Sequence, residues 1–416
     1  MAESTAFVAD DPKAVFIATM ARELHQAGVA TDALEETLVA VAEAIGLQIQ
    51  VFALPTNIAI AIGSVYRQRV VMLRMDPGRP NLRRIALLNT IYDDMLKGRI
   101  DYVEATRQLV LLDEHPGYAP WLQIPGLLAI AVGVALLLGG GVREMIVSGT
   151  IGAVTGALSA FGARYAVIDR LFEVIAAFAG TLILALFTKV IGPTNIYISI
   201  VAGVVVLLPG YSLTLALHEL ANRNLVAGVA RLGKVLSTLL ALGCGALLGF
   251  TLLGPQLLRS SDVHPHPVGA AFWILAVVLL TVGLWVDLDA RPREFPWVFA
   301  ASFVAVATTK LFGMLPVHTA AAFASAFVCG IVANLGARFL RVPQPVMLVP
   351  ALLVLVPGSL SYESVLFAFQ QNIGSALPLA ANAIVNAILL VAGLLLSQMV
   401  FPSTTLRNQR ASFGPR

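Results

Sequence analysis

The chain has 416 residues, of which 58% are hydrophobic and only 12% are charged. Soluble domains carry about a quarter charged residues, so this composition excludes an ordinary soluble protein and indicates a polytopic membrane protein. Residues 1–120 hold 11 Lys and Arg against 15 Asp and Glu, a net charge of −4. Residues 121–416 hold 16 against 9, a net charge of +7. The first block therefore predicts a soluble domain, and the second predicts the membrane part.

The first block combines helical and strand patterns. Residues 11–46 predict two helices that separate at Gly28, with Thr31 as the N-terminal cap of the second. Strands are predicted at 47–54, 58–63 and 69–74, with a hairpin turn at 55–57, and further helices at 82–97 and 101–114. We assign residues 1–118 to a cytoplasmic α+β domain.

Four polar side chains of this domain suggest a metal or acid–base site as an alternative. They are His25, Asp32, Glu35 and Glu36. Their spacing matches no recognised ligand motif, and all four lie on predicted helices that need a solvated face. We therefore expect no metal and no other cofactor.

Apolar runs follow one another from residue 120 onward. A bilayer core needs about 20 apolar residues per helix, and fewer where a span is broken. We predict ten spans, at 121–139, 144–163, 172–191, 194–209, 230–253, 268–287, 296–313, 318–339, 344–357 and 376–400. The first five belong to residues 119–260, and the second five belong to residues 261–416 together with a short tail.

Two Pro-Gly pairs interrupt this region at equivalent places. Pro209-Gly210 ends the fourth predicted span, and Pro357-Gly358 ends the ninth, 148 residues later. Proline removes a backbone donor and disfavours helix in the residue before it. Paired Gly/Pro interruptions in the two halves of a membrane protein indicate a transport site. The pair therefore predicts two symmetric gates.

The same shift of 148 residues places each of the first five spans on one of the last five. Because five is an odd number, the second copy must enter the membrane upside down, which predicts two inverted five-span repeats. With the N-terminal domain in the cytoplasm, the inner loops and tail hold 12 Lys and Arg, and the outer ends hold four. The excess of positive charge on inner loops supports this orientation. We expect the protein in the inner (plasma) membrane with both termini in the cytoplasm.

Polar residues that follow the breaks are the candidate site. Hydroxyl groups there can cap a helix start or bind a substrate, and a helix start can bind a carboxylate. The substrate-binding candidates are Pro209, Gly210, Ser212, Thr214, Pro357, Gly358, Ser359 and Ser361. Glu219 and Glu363 are the acids beside the breaks, and an ionisable group held in a membrane cavity indicates a functional site. The coupling or gating candidates are His218, Glu219, Glu363, Lys310 and Asn334.

Several motifs of other protein classes are missing from the chain. Gly-x-x-x-x-Gly-Lys-Ser/Thr does not occur, so ATP-driven transport is not expected. Gly-x-Ser-x-Gly and His-Glu-x-x-His do not occur either, which argues against a membrane-anchored hydrolase. A gradient-driven or facilitated transporter remains.

Nearly the whole chain resembles the threonine/serine exporter family. In the first block the resemblance rests on Leu24 to Gly28, on the helix that carries Glu35, and on the strands around residues 52–56. In the membrane part, Leu208-Pro209-Gly210 and Leu217-His218-Glu219-Leu220, continuing to Gly228 and Arg231, match the most recognisable motif of that family. Pro357-Gly358 resembles the corresponding place in its second half.

The resemblance implies a secondary transporter that exports threonine and serine against the proton gradient, and not an enzyme. Its partners would be a small amino acid, protons and the lipid bilayer, without nucleic acid; the oligomeric state is left open. The family often has an acid at position 219. Because relatives with separate halves are linked to dicarboxylate export, a succinate-type exporter is the first alternative, and the hydrolase is the second.

Overall fold

A computed structural model describes residues 11–402 except 65, 77, 113–116, 163–164, 254–264, 266–267, 270–271, 315–317, 341 and 357. The N-terminal domain contains four helices and a three-stranded antiparallel sheet in the order β1-β2-β3. Its elements are α1 (Pro12–Gln26), α2 (Thr31–Ala44), β1 (Ile49–Leu54), β2 (Asn57–Ile62), β3 (Arg69–Arg74), α3 (Leu82–Leu96) and α4 (Tyr102–Leu111). The predicted α+β composition of this domain is therefore confirmed.

Side-chain caps begin three of the four helices. The carboxylates of Asp11 and Asp101 and the amide oxygen of Asn81 each accept a hydrogen bond from a backbone N–H in the first turn. The prediction that Thr31 caps α2 is wrong. Thr31 is the first residue of α2, and its hydroxyl donates a hydrogen bond to the Glu219 carboxylate instead.

The middle strand supplies the sheet's contribution to the core. Ile58, Ile60 and Ile62 alternate with partly exposed residues and are buried, as expected for a strand with one solvated face. They pack with apolar residues of α1 and α2. The same core continues into the membrane part through Leu288, Val298 and Val349.

The membrane part is a succession of apolar helices. They are α5 (Gln123–Leu137), α6 (Val142–Gly162), the short α7 (Ala166–Arg170), α8 (Phe172–Val190), α9 (Ile196–Gly203), α10 (Gly210–Ala221), α11 (Leu225–Leu253), α12 (Trp273–Asp287), α13 (Phe295–Gly313), α14 (His318–Phe339), α15 (Gln344–Leu355), α16 (Gly358–Phe369) and α17 (Ile373–Val400). Short 3₁₀ turns precede α5, α10 and α13.

Fewer helices than predicted are long enough to cross a membrane. Within the described residues, eight helical stretches have the necessary length and apolarity; one joins the 3₁₀ turn at Pro120–Leu122 to α5, and another, Gln344–Phe369, combines α15 and α16. A ninth span results if α9 and α10, which are bent by 62°, are counted as one broken span. The sixth predicted span corresponds to α12, an apolar helix of 15 residues. The ten predicted spans are thus only partly matched, although the multi-pass character is clear.

The helices recur in the same order in the two halves. α5, α6, α8, α9, α10 and α11 correspond to α12, α13, α14, α15, α16 and α17, and several packed pairs recur as well, among them α10 with α11 and α16 with α17. α10 and α16 each have 12 residues. After them the chain turns at Arg223 and Gln371, which both adopt positive φ angles of 65° and 60°. These turn residues are again 148 positions apart.

Gly28 is required where the α1–α2 turn meets the loop before α3. Its φ is +75°, and a Cβ atom there would lie 2.8 Å from the backbone nitrogen of Pro80. Gly46 has a similar φ of +69° but no atom within 4 Å of such a Cβ. Substitution of Gly46 therefore tests the cost of the left-handed backbone alone, whereas substitution of Gly28 adds the cost of steric overlap.

We predict that Gly28→Ala lowers the thermal unfolding midpoint of the purified protein more than Gly46→Ala does. Each variant should lose about 1–2 kcal/mol from the left-handed backbone, and only Gly28→Ala must also displace the backbone near Pro80. Circular dichroism of the full chain in detergent measures both midpoints. Equal shifts would contradict the close contact.

Candidate functional site

The two chain breaks meet inside the membrane part. α10 begins at Gly210, and α16 begins at Gly358. A Cβ atom on Gly210 would lie 3.0 Å from the Cα atom of Gly358, and a Cβ atom on Gly358 would lie 3.4 Å from the Cα atom of Gly210. Pro209 immediately precedes α10, while Pro357 lies outside the described residues. The structure thus brings together the two interruptions that the sequence singled out.

A cavity of about 190 Å³ adjoins this contact. About 10–15 Å³ suffices for one water molecule, so the space admits a small organic molecule. Its walls come from both breaks and from the equivalent helices α5 and α12. The lining residues are Ile130, Val134, Leu137, Leu138, Val205, Val206, Leu208, Gly210, Tyr211, Leu280, Leu284, Asp287, Leu353, Val354, Val356, Gly358 and Ser359.

Three side chains give this apolar cavity its polar character: Tyr211, Ser359 and Asp287. Asp287 is the last residue of α12 and is half-buried. Among the described residues its carboxylate has no hydrogen bond and no ion pair. The sequence reasoning missed it because it considered only the acids beside the breaks.

A simple signal could have identified Asp287. Only three acids fall inside the predicted spans: Glu144, Glu173 and Asp287. Glu144 accepts hydrogen bonds from the backbone N–H groups of Gly141 and Asn195 and so joins two helix ends. Glu173 does not line the cavity. An acid within an apolar span, rather than beside a break, was the informative feature.

Only some of the substrate-binding candidates line the cavity. Gly210, Gly358 and Ser359 line the cavity, whereas Pro209, Ser212, Thr214 and Ser361 do not. Thr214 is buried, and its hydroxyl has no partner among the described residues; the same holds for Tyr362, at the equivalent position of α16.

Three of the coupling candidates lie elsewhere. Glu363 is half-buried on α16, and Lys310 is exposed near the end of α13. Asn334 is buried, donates a hydrogen bond to the Phe401 carbonyl and accepts one from Gln344, so it joins α14 to α15 and to the end of α17. None of these residues lines the cavity.

Glu219 forms a buried contact between α10 and the N-terminal domain. Its side chain is fully buried. It accepts a 2.7 Å hydrogen bond from the Thr31 hydroxyl and two from the Arg231 guanidinium, at 2.8 and 3.0 Å. This bidentate geometry is the strong form of a carboxylate–arginine pair. The sequence had suggested either a cavity or water as the surroundings of Glu219, and the structure shows a domain junction.

A second contact of α10 lies one turn away. The Asn222 amide donates a 3.0 Å hydrogen bond to Asp32, and His218 Nε2 lies 3.5 Å from the same carboxylate oxygen. Burial would raise the pKa of Asp32, but the hydrogen bonds from His218 and Asn222 and the charge of His218 lower it to about 2. Ionised Asp32 therefore belongs to the docked arrangement.

The second half of the membrane part is attached to the N-terminal domain through Asp289. This residue follows α12 with a φ of 48°. Its carboxylate accepts hydrogen bonds from Arg83, from Asn81 and from the backbone N–H of Tyr118. Backbone hydrogen bonds run from Leu82 to the Leu288 carbonyl and from Arg83 to the Asp289 carbonyl. The N-terminal domain is thus fastened to both halves.

Three of the four polar residues considered for a metal or acid–base site, His25, Asp32 and Glu35, have structural contacts, and Glu36 is exposed. His25 is buried with Nε2 3.0 Å from the Pro55 carbonyl, and burial lowers its pKa. Glu35 accepts a hydrogen bond from the Ala53 backbone N–H. Among the residues that the structure describes, no group of three or more His, Cys, Asp or Glu is placed to hold a metal ion.

Comparison with known proteins gives two matches to one family. A family described as "Putative threonine/serine exporter" matches residues 15–253, and one described as "Threonine/Serine exporter, ThrE" matches residues 271–400. The chain is 26% identical to pheromone-regulated membrane protein 10 of Pichia sorbitophila over 86% of this chain and 37% of that protein. It is 25% identical to the protein of that name from Eremothecium gossypii, over 90% of this chain and 52% of the other.

An uncharacterised protein of Schizosaccharomyces pombe is also 25% identical, over 76% of this chain and 39% of its own length. The chain therefore spans about a third to a half of the length of these curated relatives. No solved structure matches it.

We predict that Arg231→Met destabilises the docked N-terminal domain by about 3–5 kcal/mol, because Glu219 would remain buried without its cation. Adding Glu219→Leu should restore most of the loss. Limited proteolysis and thermal unfolding of the full chain measure the effect.

The control for this pair is Arg107→Gln, which breaks a 3.7 Å ion pair with Glu104 between largely exposed side chains. Such surface pairs contribute about 0–1 kcal/mol. If Arg107→Gln and Arg231→Met behave alike, the Glu219 junction does not hold the domain.

We predict an acid-dependent loss of docking that depends on Asp32. Because its pKa in the folded protein, about 2, lies below the usual 3.8, ionised Asp32 stabilises the folded form above pH 4. This contribution, about 2 kcal/mol, should disappear as the pH falls from about 4 to about 2. Asp32→Asn should flatten that part of the curve of unfolding midpoint against pH, and an unchanged slope would contradict the assignment.

Proposed function

Because the chain belongs to the threonine/serine exporter family, we propose that it exports threonine and serine from the cytoplasm by alternating access around its two chain breaks. The observation that carries the proposal is the contact of Gly210 with Gly358 beside a cavity. Two helices begin there, and helix starts present free backbone N–H groups and a positive dipole end. These groups suit the carboxylate of an amino acid.

The two halves are proposed to be inverted repeats. The constant offset of 148 residues between the turns at Arg223 and Gln371 supports a repeat. The packing of the equivalent helices α5 and α12 supports the inversion. Gly126 faces Gly283, and Gly133 faces Ala276, so the two helices run antiparallel. An axis in the membrane plane produces this relation, and an axis along the membrane normal would make them parallel.

In this proposal the chain breaks between α9 and α10 and between α15 and α16 act as the two gates. α10 and α16 would tilt in turn and expose the cavity to one side of the membrane. The hydroxyls of Thr214 and Tyr362, buried without a partner among the described residues, are donors that such a tilt could offer to the substrate. We further propose the inner membrane, cytoplasmic termini, the domain boundaries near residues 118 and 260, and the proton gradient as the driving force.

The succinate-type alternative requires basic groups in the cavity. Arg223 and Lys310, which would have favoured it, are both exposed. The only charged side chain among the described lining residues is the acid Asp287. A cavity with this charge favours a substrate that carries a cation over a dianion.

Counterflow tests the substrate. Proteoliposomes are loaded with unlabelled threonine, serine or succinate, and labelled threonine is added outside. We expect accumulation with threonine or serine inside and none with succinate. Accumulation only when labelled succinate replaces labelled threonine outside would move the function to dicarboxylates. An imposed pH gradient then tests proton coupling.

We predict that Gly210→Ala reduces threonine counterflow more than Gly358→Ala does. A Cβ atom at Gly210 would lie 2.1 Å from a Val356 methyl group and 3.0 Å from the Gly358 backbone, whereas at Gly358 the nearest atom would be 3.1 Å away. Gly210→Ala should reduce the exchange rate about tenfold or more, since a rigid backbone contact must move. Each 1.4 kcal/mol corresponds to about a factor of ten.

Gly233→Ala is the matched control, because no atom lies within 4 Å of a Cβ atom built there. It should exchange threonine as the unmodified protein does. Gel filtration and thermal unfolding confirm that each variant is folded. Wild-type exchange by Gly210→Ala would show that the contact of the two breaks does not control transport.

A further inference from the structure

We propose that Asp287 is the counter-ion for the ammonium group of the transported amino acid. The inference rests on the proposed function and adds a specific residue and a chemical class to it. The cavity would bind a zwitterion, with the ammonium group at Asp287 and the carboxylate at the starts of α10 and α16.

The chemistry of the cavity supports a cationic ligand group at Asp287. Of the 17 described residues that line it, 12 are Ile, Val or Leu. A carboxylate in apolar surroundings costs free energy unless a cation or hydrogen-bond donors compensate for it. An ionised carboxylate only accepts hydrogen bonds, and an ammonium group only donates them. The two groups are therefore complementary.

The described contacts include no hydrogen-bond donor and no ion-pair partner for the Asp287 carboxylate. Leu288, the next residue, accepts a backbone hydrogen bond from Leu82, and Asp289 binds three donors of its own. Arg79 is the cation whose charge reaches Asp287. Its side chain is exposed and lies 5.7 Å from the centroid of the Phe172 ring, without an ion pair to Asp287 among the described contacts.

A metal ion is a poorer occupant than an ammonium group. Hard divalent cations take about six or more oxygen ligands, usually from several carboxylates and carbonyls. Asp287 is the single carboxylate among the described lining residues, and the other side-chain oxygens there belong to Tyr211 and Ser359. One carboxylate with two hydroxyls and nearby helix starts matches an amino-acid zwitterion better.

The test compares threonine with 3-hydroxybutyrate, which keeps the hydroxyl and the carboxylate and lacks the ammonium group. Both compete with labelled threonine during counterflow in the same proteoliposomes. The unmodified protein should prefer threonine at least about tenfold, the effect of one charge-assisted hydrogen bond. Asp287→Asn should raise the half-saturating threonine concentration at least about tenfold and remove the preference, while Asp287→Glu should retain it.

Asp169→Asn provides the matched control, because it makes the same chemical change at an exposed acid on α7. It should behave as the unmodified protein. If Asp287→Asn exchanges threonine with unchanged affinity, the proposal is overturned. The proposal is equally overturned if the variant loses only accumulation driven by a pH gradient, since the carboxylate would then bind a proton rather than the ammonium group.

A second measurement uses the unmodified protein and does not depend on the folding of a variant. Dicyclohexylcarbodiimide reacts with carboxyl groups in apolar surroundings, and mass spectrometry locates the modified residue. Saturating threonine should reduce labelling of Asp287 at least about tenfold, and 3-hydroxybutyrate should reduce it little. Equal labelling with and without threonine, or equal protection by both compounds, would overturn the proposal.

These outcomes separate the inference from the function on which it rests. Absence of threonine exchange by the unmodified protein contradicts the proposed export, whereas protection of Asp287 by threonine alone would still identify an ammonium-binding site. Threonine exchange without any role of Asp287 leaves the proposed function in place and removes only the counter-ion.

Discussion

The contact between the two chain breaks determines how the membrane part is arranged. Backbone groups that lack helical partners cannot face lipid, so irregular segments at membrane depth must be covered by protein or line a cavity. Gly210 and Gly358 cover each other at a distance that leaves no room for a side chain on Gly210. Because each glycine is also the first residue of a helix, this shielding makes two helix starts converge beside one cavity. The cavity is thus a consequence of how the interruptions are protected from lipid.

The helix α10 links that cavity to the N-terminal domain. It begins at Gly210, and Glu219 lies about 14 Å further along the helix at 1.5 Å per residue. There the buried carboxylate is held by Thr31 of the domain and by Arg231 of α11. A tilt of α10 about its first residue would displace Glu219 from both partners. In the proposed transport cycle, domain docking and the position of α10 would therefore influence each other with the same coupling free energy in both directions.

Local features of the fold could be predicted from the sequence, and long-range contacts could not. Helix and strand positions follow from hydrophobic periodicity, and Asp101, the first residue of the helix predicted at 101–114, caps α4. The paired breaks were visible because proline and glycine act on their own backbone. Thr31 stands where a helix-capping residue is expected, but its partner Glu219 lies 188 residues away. A local sequence pattern cannot predict a contact over that separation. Glu219 was singled out for its charge, whereas its surroundings depend on how the domain docks.

Asp287 and Asp289 illustrate how one helix end can place two like residues in different surroundings. α12 ends at Asp287, and the left-handed backbone of Asp289 turns the chain away from the helix axis. The last helical residue consequently stays at the cavity, while the acid two positions later points to the N-terminal domain. With ordinary backbone angles at this helix end, the Asp289 carboxylate would not reach its three donors in and beside the N-terminal domain. A carboxylate without polar partners among the described residues is thus positioned by a neighbouring carboxylate that has three.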